Sequence, residues 1–183
     1  MTLLIVGIVV AVFILFWIIN YNSLVKYRNW VEEAWAQIDV QLKRRYDLIP
    51  NLVETVKGYA KHETETLEKV IEARNRMFSQ GNTRNDEMTA NDQISAGLKN
   101  LFALSESYPE LKANENFMML QEELAGTENK ISYSRQSYNK TVMEYNTKVE
   151  TIPTNIIASI HGFKRRDLLS IPAEERQNVK VSF

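Results

Sequence analysis

The stretch from Leu3 to Ile19 reads LLIVGIVVAVFILFWII and contains no polar side chain other than the indole of Trp17. At about 1.5 Å of rise per residue a helix over this run is roughly 26 Å long, close to the ~30 Å hydrocarbon core of a bilayer. Fourteen of its residues are Leu, Ile, Val or Phe. Each contributes roughly −0.3 to −0.6 kcal/mol near the bilayer centre, so insertion is favoured by several kcal/mol. Thr2, Asn20 and Tyr21 flank the run at the two interfaces, and Trp17 with Tyr21 suits the aromatic belt. Leu3, Val10, Phe13, Trp17 and Ile19 are therefore expected to lie in the membrane, with residues 1–21 forming a transmembrane signal anchor.

A cleaved signal peptide is the competing reading. It requires a basic leading segment and a small-x-small cleavage site. No charged side chain precedes Lys26, and Trp17-Ile18-Ile19-Asn20 is a poor cleavage context, so retention is expected. The basic residues nearest the run, Lys26 and Arg28, lie after it, as do Lys43, Arg44 and Arg45. The positive-inside rule then predicts an outside N-terminus and a cytoplasmic domain.

Beyond Asn22 the apolar period is helical. Leu24, Tyr27, Val31, Trp35, Ile38 and Leu42 step by three and four, as do Ile49, Leu52, Val56 and Tyr59, then Leu67, Val70, Arg74 and Met77. Phe117, Leu124, Ile131, Tyr138 and Tyr145 repeat every seven residues, and Leu120, Val142 and Val149 widen that line into a packing stripe. Asp47 suits a helix cap with Pro50 in the following first turn, which predicts a tight turn at 45–47. One long helix kinked at Pro50 is the alternative. Gly81-Asn82-Thr83-Arg84-Asn85-Asp86 reads as a loop, Pro109 as the end of a third helix, Asn114 as a cap and Pro153 as a stop. The expected fold is all-α. The anchor continues into an antiparallel bundle of about four long helices, near 22–45, 48–79, 89–107 and 115–150. The bundle domain is placed at 22–153, and 154–183 is a short amphipathic helix and tail. Only Val179-Lys180-Val181 looks extended.

The composition argues against most chemistry. The chain has no cysteine, so disulfides, thiolate metal sites and a cysteine nucleophile are excluded. Lys and Arg number 22 against 23 Asp and Glu, a net charge of −1, which offers no basic footprint for nucleic acid. Only two histidines occur, His62 and His161, and neither belongs to a zinc or di-iron ligand pattern. The six glycines are scattered singly and form no phosphate cradle. No cofactor, metal or catalytic activity is expected. Asn139-Lys140-Thr141 matches a glycosylation acceptor, without meaning in a cytoplasmic domain.

Three polar or amphipathic features are left. In an up-down bundle the turns at 45–47 and 112–114 fall together at the membrane-distal tip. Arg44, Arg45, Tyr46, Asp47, Asn51, Lys112 and Asn114 are then a candidate partner-binding tip, although a capped turn with solvated basic residues explains the same pattern. The Tyr138-Asn139 and Tyr145-Asn146 pairs share one helical face, where tyrosine rings filling a seam and asparagines fixing register are preferred to a ligand site. Ile156, Ile157, Ile160 and Phe163 followed by Lys164, Arg165 and Arg166 form an amphipathic turn or two that either lies on the membrane surface or caps the bundle.

Tyr21-Asn22-Ser23-Leu24-Val25 and the long run from Ala34 to Glu63, AWAQIDVQLKRRYDLIPNLVETVKGYAKHE, strongly resemble the bacterial LemA family. So do Tyr108-Pro109-Glu110-Leu111-Lys112-Ala113-Asn114, Gln121-Glu122-Glu123-Leu124, Thr127-Glu128-Asn129-Lys130-Ile131 and Tyr138-Asn139. The loop at 81–90 and the last twenty residues follow the pattern less closely. The resemblance implies a bacterial cytoplasmic (inner) membrane protein with its N-terminus outside and a cytoplasmic helical bundle, and it assigns no catalytic residue, cofactor or substrate. Three functions compete on this basis. The first is a membrane-tethered scaffold or adaptor acting through a protein partner or a homo-oligomer, with coiled-coil-like packing. The second is a protein that shapes or senses the lipid bilayer. The third is an accessory factor of a membrane protease or envelope-stress system.

Overall fold

A computed structural model describes residues 1–60 and 63–170. It is all-α, with six α-helices and no strand among the described residues. Helix α1 spans Thr2–Tyr59, α2 Thr64–Met77, α3 Arg84–Leu104, α4 Pro109–Lys112, α5 Glu115–Glu150 and α6 Thr154–Ile160. The stretch at 179–181 and His62 lie outside the described residues.

The expected turn at 45–47 is absent. The helix begun in the apolar run continues through Arg45, Asp47 and Pro50 as far as Tyr59. Proline removes one intrahelical hydrogen bond, the one its missing N–H would have given to the carbonyl four residues back. Here that carbonyl is Tyr46 O, and it accepts instead from Arg74 Nε of α2 at 3.1 Å. The Arg74 guanidinium also lies 3.7 Å from the centre of the Tyr46 ring. A side chain from a neighbouring helix thus replaces the lost donor, and the chain turns only after Tyr59.

Two compact units divide the chain. The first comprises Met1–Gln37 and Ser134–Leu168, the second Ile38–Tyr133 with Leu169 and Ser170. In the second unit the later part of α1 packs with α2, α3 and the earlier part of α5 around Ile38, Leu42, Ile49, Leu52, Val56, Val70, Ile94, Leu98, Phe117 and Leu124, all buried. Helix α3 starts at a capping box: Thr83 accepts from the Asp86 N–H, and the Asp86 carboxylate accepts from the Thr83 N–H. This starts the third helix five residues earlier than its apolar period suggests, and it ends at Leu104, short of the expected 107. Pro109 does not end that helix but opens α4 at the first position, where no amide donor is required. Gly97 on α3 allows a close approach to α2, since a Cβ there would meet Val70 Cγ2 at 2.8 Å. Asn114 caps α5 by accepting from the Phe117 N–H at 3.0 Å.

In the first unit, Leu24, Val31 and Ala34 of α1 are buried, as are Tyr138, Val142 and Tyr145 of α5. Trp35 meets Tyr138 edge to face, and Lys148 Nζ lies 5.7 Å from the centre of the Tyr27 ring, so the two segments run antiparallel. The apolar part of α1 is the exception to burial. It is the one described helix long and apolar enough to cross a membrane, and none of that window is covered by the rest of the chain. The core helix of a soluble protein would be buried here.

Candidate functional site

The second unit holds a buried polar cluster. Arg45 is 2% exposed, at the core-facing position of α1 between Leu42 and Ile49. Its Nη1 donates to Asn91 Oδ1 at 2.7 Å, to Ser95 Oγ at 3.0 Å and to the Glu128 carboxylate. Ser95 Oγ donates to the same carboxylate at 3.0 Å. A guanidinium removed from water is costly unless both its charge and its N–H groups are answered. Glu128 answers the charge from α5, and Asn91 and Ser95 add polar acceptors from α3, so three helices meet on one cation.

Arg44, one residue earlier, points outward and pairs with Glu123 at 2.5 Å. Lys43 pairs with Asp47 at 2.8 Å along the same helix. Tyr46 carries Arg74 on its ring and meets Phe78 edge to face at 5.2 Å. Asn51 is exposed on α1, and its carbonyl accepts from Thr55. Lys112 is exposed, while Asn114 Nδ2 donates to Tyr59 Oη at 3.0 Å. The grouping expected at a bundle tip therefore separates. Arg44 to Asp47 sit within α1, and the 112–114 turn meets the end of that helix, about 20 Å further along at 1.5 Å per residue. Tyr108 Oη donates to Glu63 at 3.2 Å at this same end, and burial together with that carboxylate raises the Tyr108 phenol above its ordinary pKa. Within the second unit Glu87 is also raised, by burial first and by the neighbouring Asp39 second.

In the first unit the Tyr145-Asn146 pair has a definite role. Asn146 Nδ2 donates to Arg166 O and its Oδ1 accepts from Arg166 N, both at 2.9 Å. Tyr145 Oη donates to Lys164 O at 3.0 Å. These side chains grip the backbone that returns after α6, as a neighbouring strand would. Ion pairs from Arg165 to Glu150 at 3.0 Å and from Arg166 to Glu32 at 3.2 Å hold the same segment. Of the expected membrane-surface residues, Ile157 and Phe163 are buried against the first unit. Ile156 and Ile160 are exposed, as are Lys164, Arg165 and Arg166. Beyond the pattern legible in the sequence, His161 is placed beside the apolar run: Trp17 Nε1 donates to His161 Nε2 at 3.3 Å and the Tyr21 ring lies 4.7 Å away. Leu3, Val10, Phe13 and Ile19 are exposed along α1.

A shallow groove of about 160 Å³ lies in the first unit between Trp30, Glu33 and Gln37 on α1 and Ser137, Thr141 and Glu144 on α5. That is well below the roughly 300–1,000 Å³ of small-molecule sites. Among the described residues no three His, Asp or Glu side chains gather as a metal ion requires.

An uncovered apolar helix running into a helical body defines a class of anchored, all-α proteins, and comparison with known sequences places the chain within it. The LemA family model matches residues 34–183, and the chain belongs to that family. It is 25% identical over 149 residues to Protein LemA of Metamycoplasma hominis, covering 81% of this chain and 68% of that protein. It is 21% identical over 173 residues to Magnetosome protein MamQ of Magnetospirillum gryphiswaldense, covering 81% of this chain and 64% of that protein. Magnetosome protein MamQ 2 of Paramagnetospirillum magneticum is 24% identical over 183 residues, covering 86% and 67%. The chain thus spans about two thirds of the length of these relatives.

Proposed function

We propose that this chain is a non-catalytic, membrane-anchored scaffold or adaptor, acting by binding other proteins or copies of itself. The observation that carries the reading is the use made of two sets of polar groups, one in each unit. Arg45, Asn91, Ser95 and Glu128 are spent on one another, and Tyr145 and Asn146 on the chain's own backbone. Such groups hold helices in place and are not aimed at a substrate. Outside the apolar run, Met119, Tyr133 and Met143 are exposed. Methionine and tyrosine adapt well to a protein surface. Residues 1–21 are the anchor in this reading and 22–153 the working body, with the N-terminus outside and the body in the cytoplasm of a bacterial cell, as Lys26 and Arg28 favour.

The test is the mass of full-length protein extracted gently from its own membrane, by light scattering with mass spectrometry of whatever accompanies it. A discrete homo-oligomer or a stoichiometric companion is expected. A bare monomer, with no cross-linked species in intact membranes, overturns the proposal.

A further inference from the structure

The placement of α6 carries an inference about lipid contact, resting on the reading that residues 3–19 cross a bilayer. Within the first unit the chain descends along α5, passes α6 and climbs again. Lys148 lies at the level of Tyr27, His161 at that of Trp17 and Tyr21, and Arg166 at that of Glu32. Trp17 belongs to the apolar run, two residues before its end at Ile19. The C-terminal end of α6 is therefore held beside the end of the apolar run, where in this reading the hydrocarbon meets the headgroups.

Its two faces are sorted accordingly. Ile157 and Ala158 are buried against the unit, and Phe163 packs on Tyr21 with ring centres 5.9 Å apart. Ile156 and Ile160, one helical turn apart, are 56% and 64% exposed, and Ile152 ahead of them is 78% exposed. Water is a poor solvent for three isoleucines on one short segment, whereas the acyl boundary beside Trp17 is a good one. Lys164 and Arg165 follow on the segment that climbs away, Arg165 paired with Glu150.

We propose that α6 is a second bilayer contact, an interfacial helix pinned to the span through His161 that seats Ile156 and Ile160 in the lipid. The chain has no native cysteine, so single labels can be introduced cleanly. Spin labels at Val10→Cys, Ile156→Cys, Ile160→Cys and Val40→Cys would be read one at a time in the full chain, reconstituted in vesicles of phosphatidylethanolamine and phosphatidylglycerol. Collisions with oxygen report lipid, and collisions with a water-soluble nickel chelate report solvent. The expected result is that positions 156 and 160 rise in oxygen accessibility and fall in nickel accessibility toward position 10, while position 40 shows the reverse. Labels at 156 and 160 that match position 40 while position 10 stays in lipid overturn the inference and leave the anchor standing. Shielding from both reagents means a protein neighbour covers α6, which also overturns it. If position 10 itself meets nickel, the membrane-spanning reading fails and takes this one with it.

Discussion

Arg45 carries the clearest prediction at the scale of a single residue. Its guanidinium is almost fully enclosed, while Glu128 is 41% exposed at its side chain, so the carboxylate retains contact with water and the cation does not. Removing Glu128 therefore harms mainly Arg45. Glu128→Ala is expected to cost about 1.5–3 kcal/mol of stability, the range for a hydrogen bond to a charged group. Thermal melts of the full chain followed by helical circular dichroism would show it, and an unchanged melting temperature would dismiss the cluster as a stabilising element. Glu123→Ala, which frees only the exposed Arg44, is the contrasting control and should cost well under about 1 kcal/mol. The inward setting of Arg45 was legible in the numbers: 42, 45, 49 and 52 step by three and four on one face. The charge run Lys43-Arg44-Arg45 drew it into a solvated tip, because runs of like charge usually lie at the surface. Its partners Asn91 and Glu128 are 46 and 83 residues away, and no local pattern links them.

Among the elements, α5 was read to its observed bounds and α1 was not. Asn114 and Pro153 act on their immediate neighbours, so their signals are local. Pro50 also sends a local signal, but a residue of α2 overrules it. Arg74 appears on the apolar face of α2 in the sequence pattern, and only the fold shows that it meets the carbonyl Pro50 leaves bare. Arg74→Leu is accordingly expected to destabilise the protein by about 1–3 kcal/mol, from the lost hydrogen bond and cation–π contact. In a Pro50→Ala background, where the N–H of the substituted alanine can serve Tyr46 O again, part of that loss should vanish. A coupling of roughly 0.5–1.5 kcal/mol in the four-member cycle is the expected outcome. Strictly additive losses would mean that Arg74 does not substitute for the missing donor.

For the molecule as a whole, the all-α class and the long apolar run were plain from periodicity and composition, since both signals extend over many residues. The course of the chain after α6 was not, because Asn146 fixes it from 20 residues away by gripping backbone rather than side chains. Lys164, Arg165 and Arg166 are three trypsin sites in a row on that gripped backbone. Clamped as it is, the segment should resist trypsin in the intact protein. Asn146→Ala should make cleavage there several-fold faster without loss of helical signal, as read by mass spectrometry of timed digests. Equal rates would show that the grip does not hold the segment.

The first unit is assembled from two separated parts of the chain, with Ile38–Tyr133 between them. Read as a timetable of synthesis, this separation orders the birth of the protein. At roughly 5–20 residues per second, the ribosome needs about 5–20 s after Gln37 to reach Ser134. Throughout that interval the first part of α1 exists without the segments that will cover its flank. The second unit's helices through Tyr133 emerge in the meantime as an uninterrupted stretch. The ring of His161 can reach Trp17 only after the whole of Ile38–Tyr133 has been made, so the first unit closes on α1 later than the second unit's helices emerge.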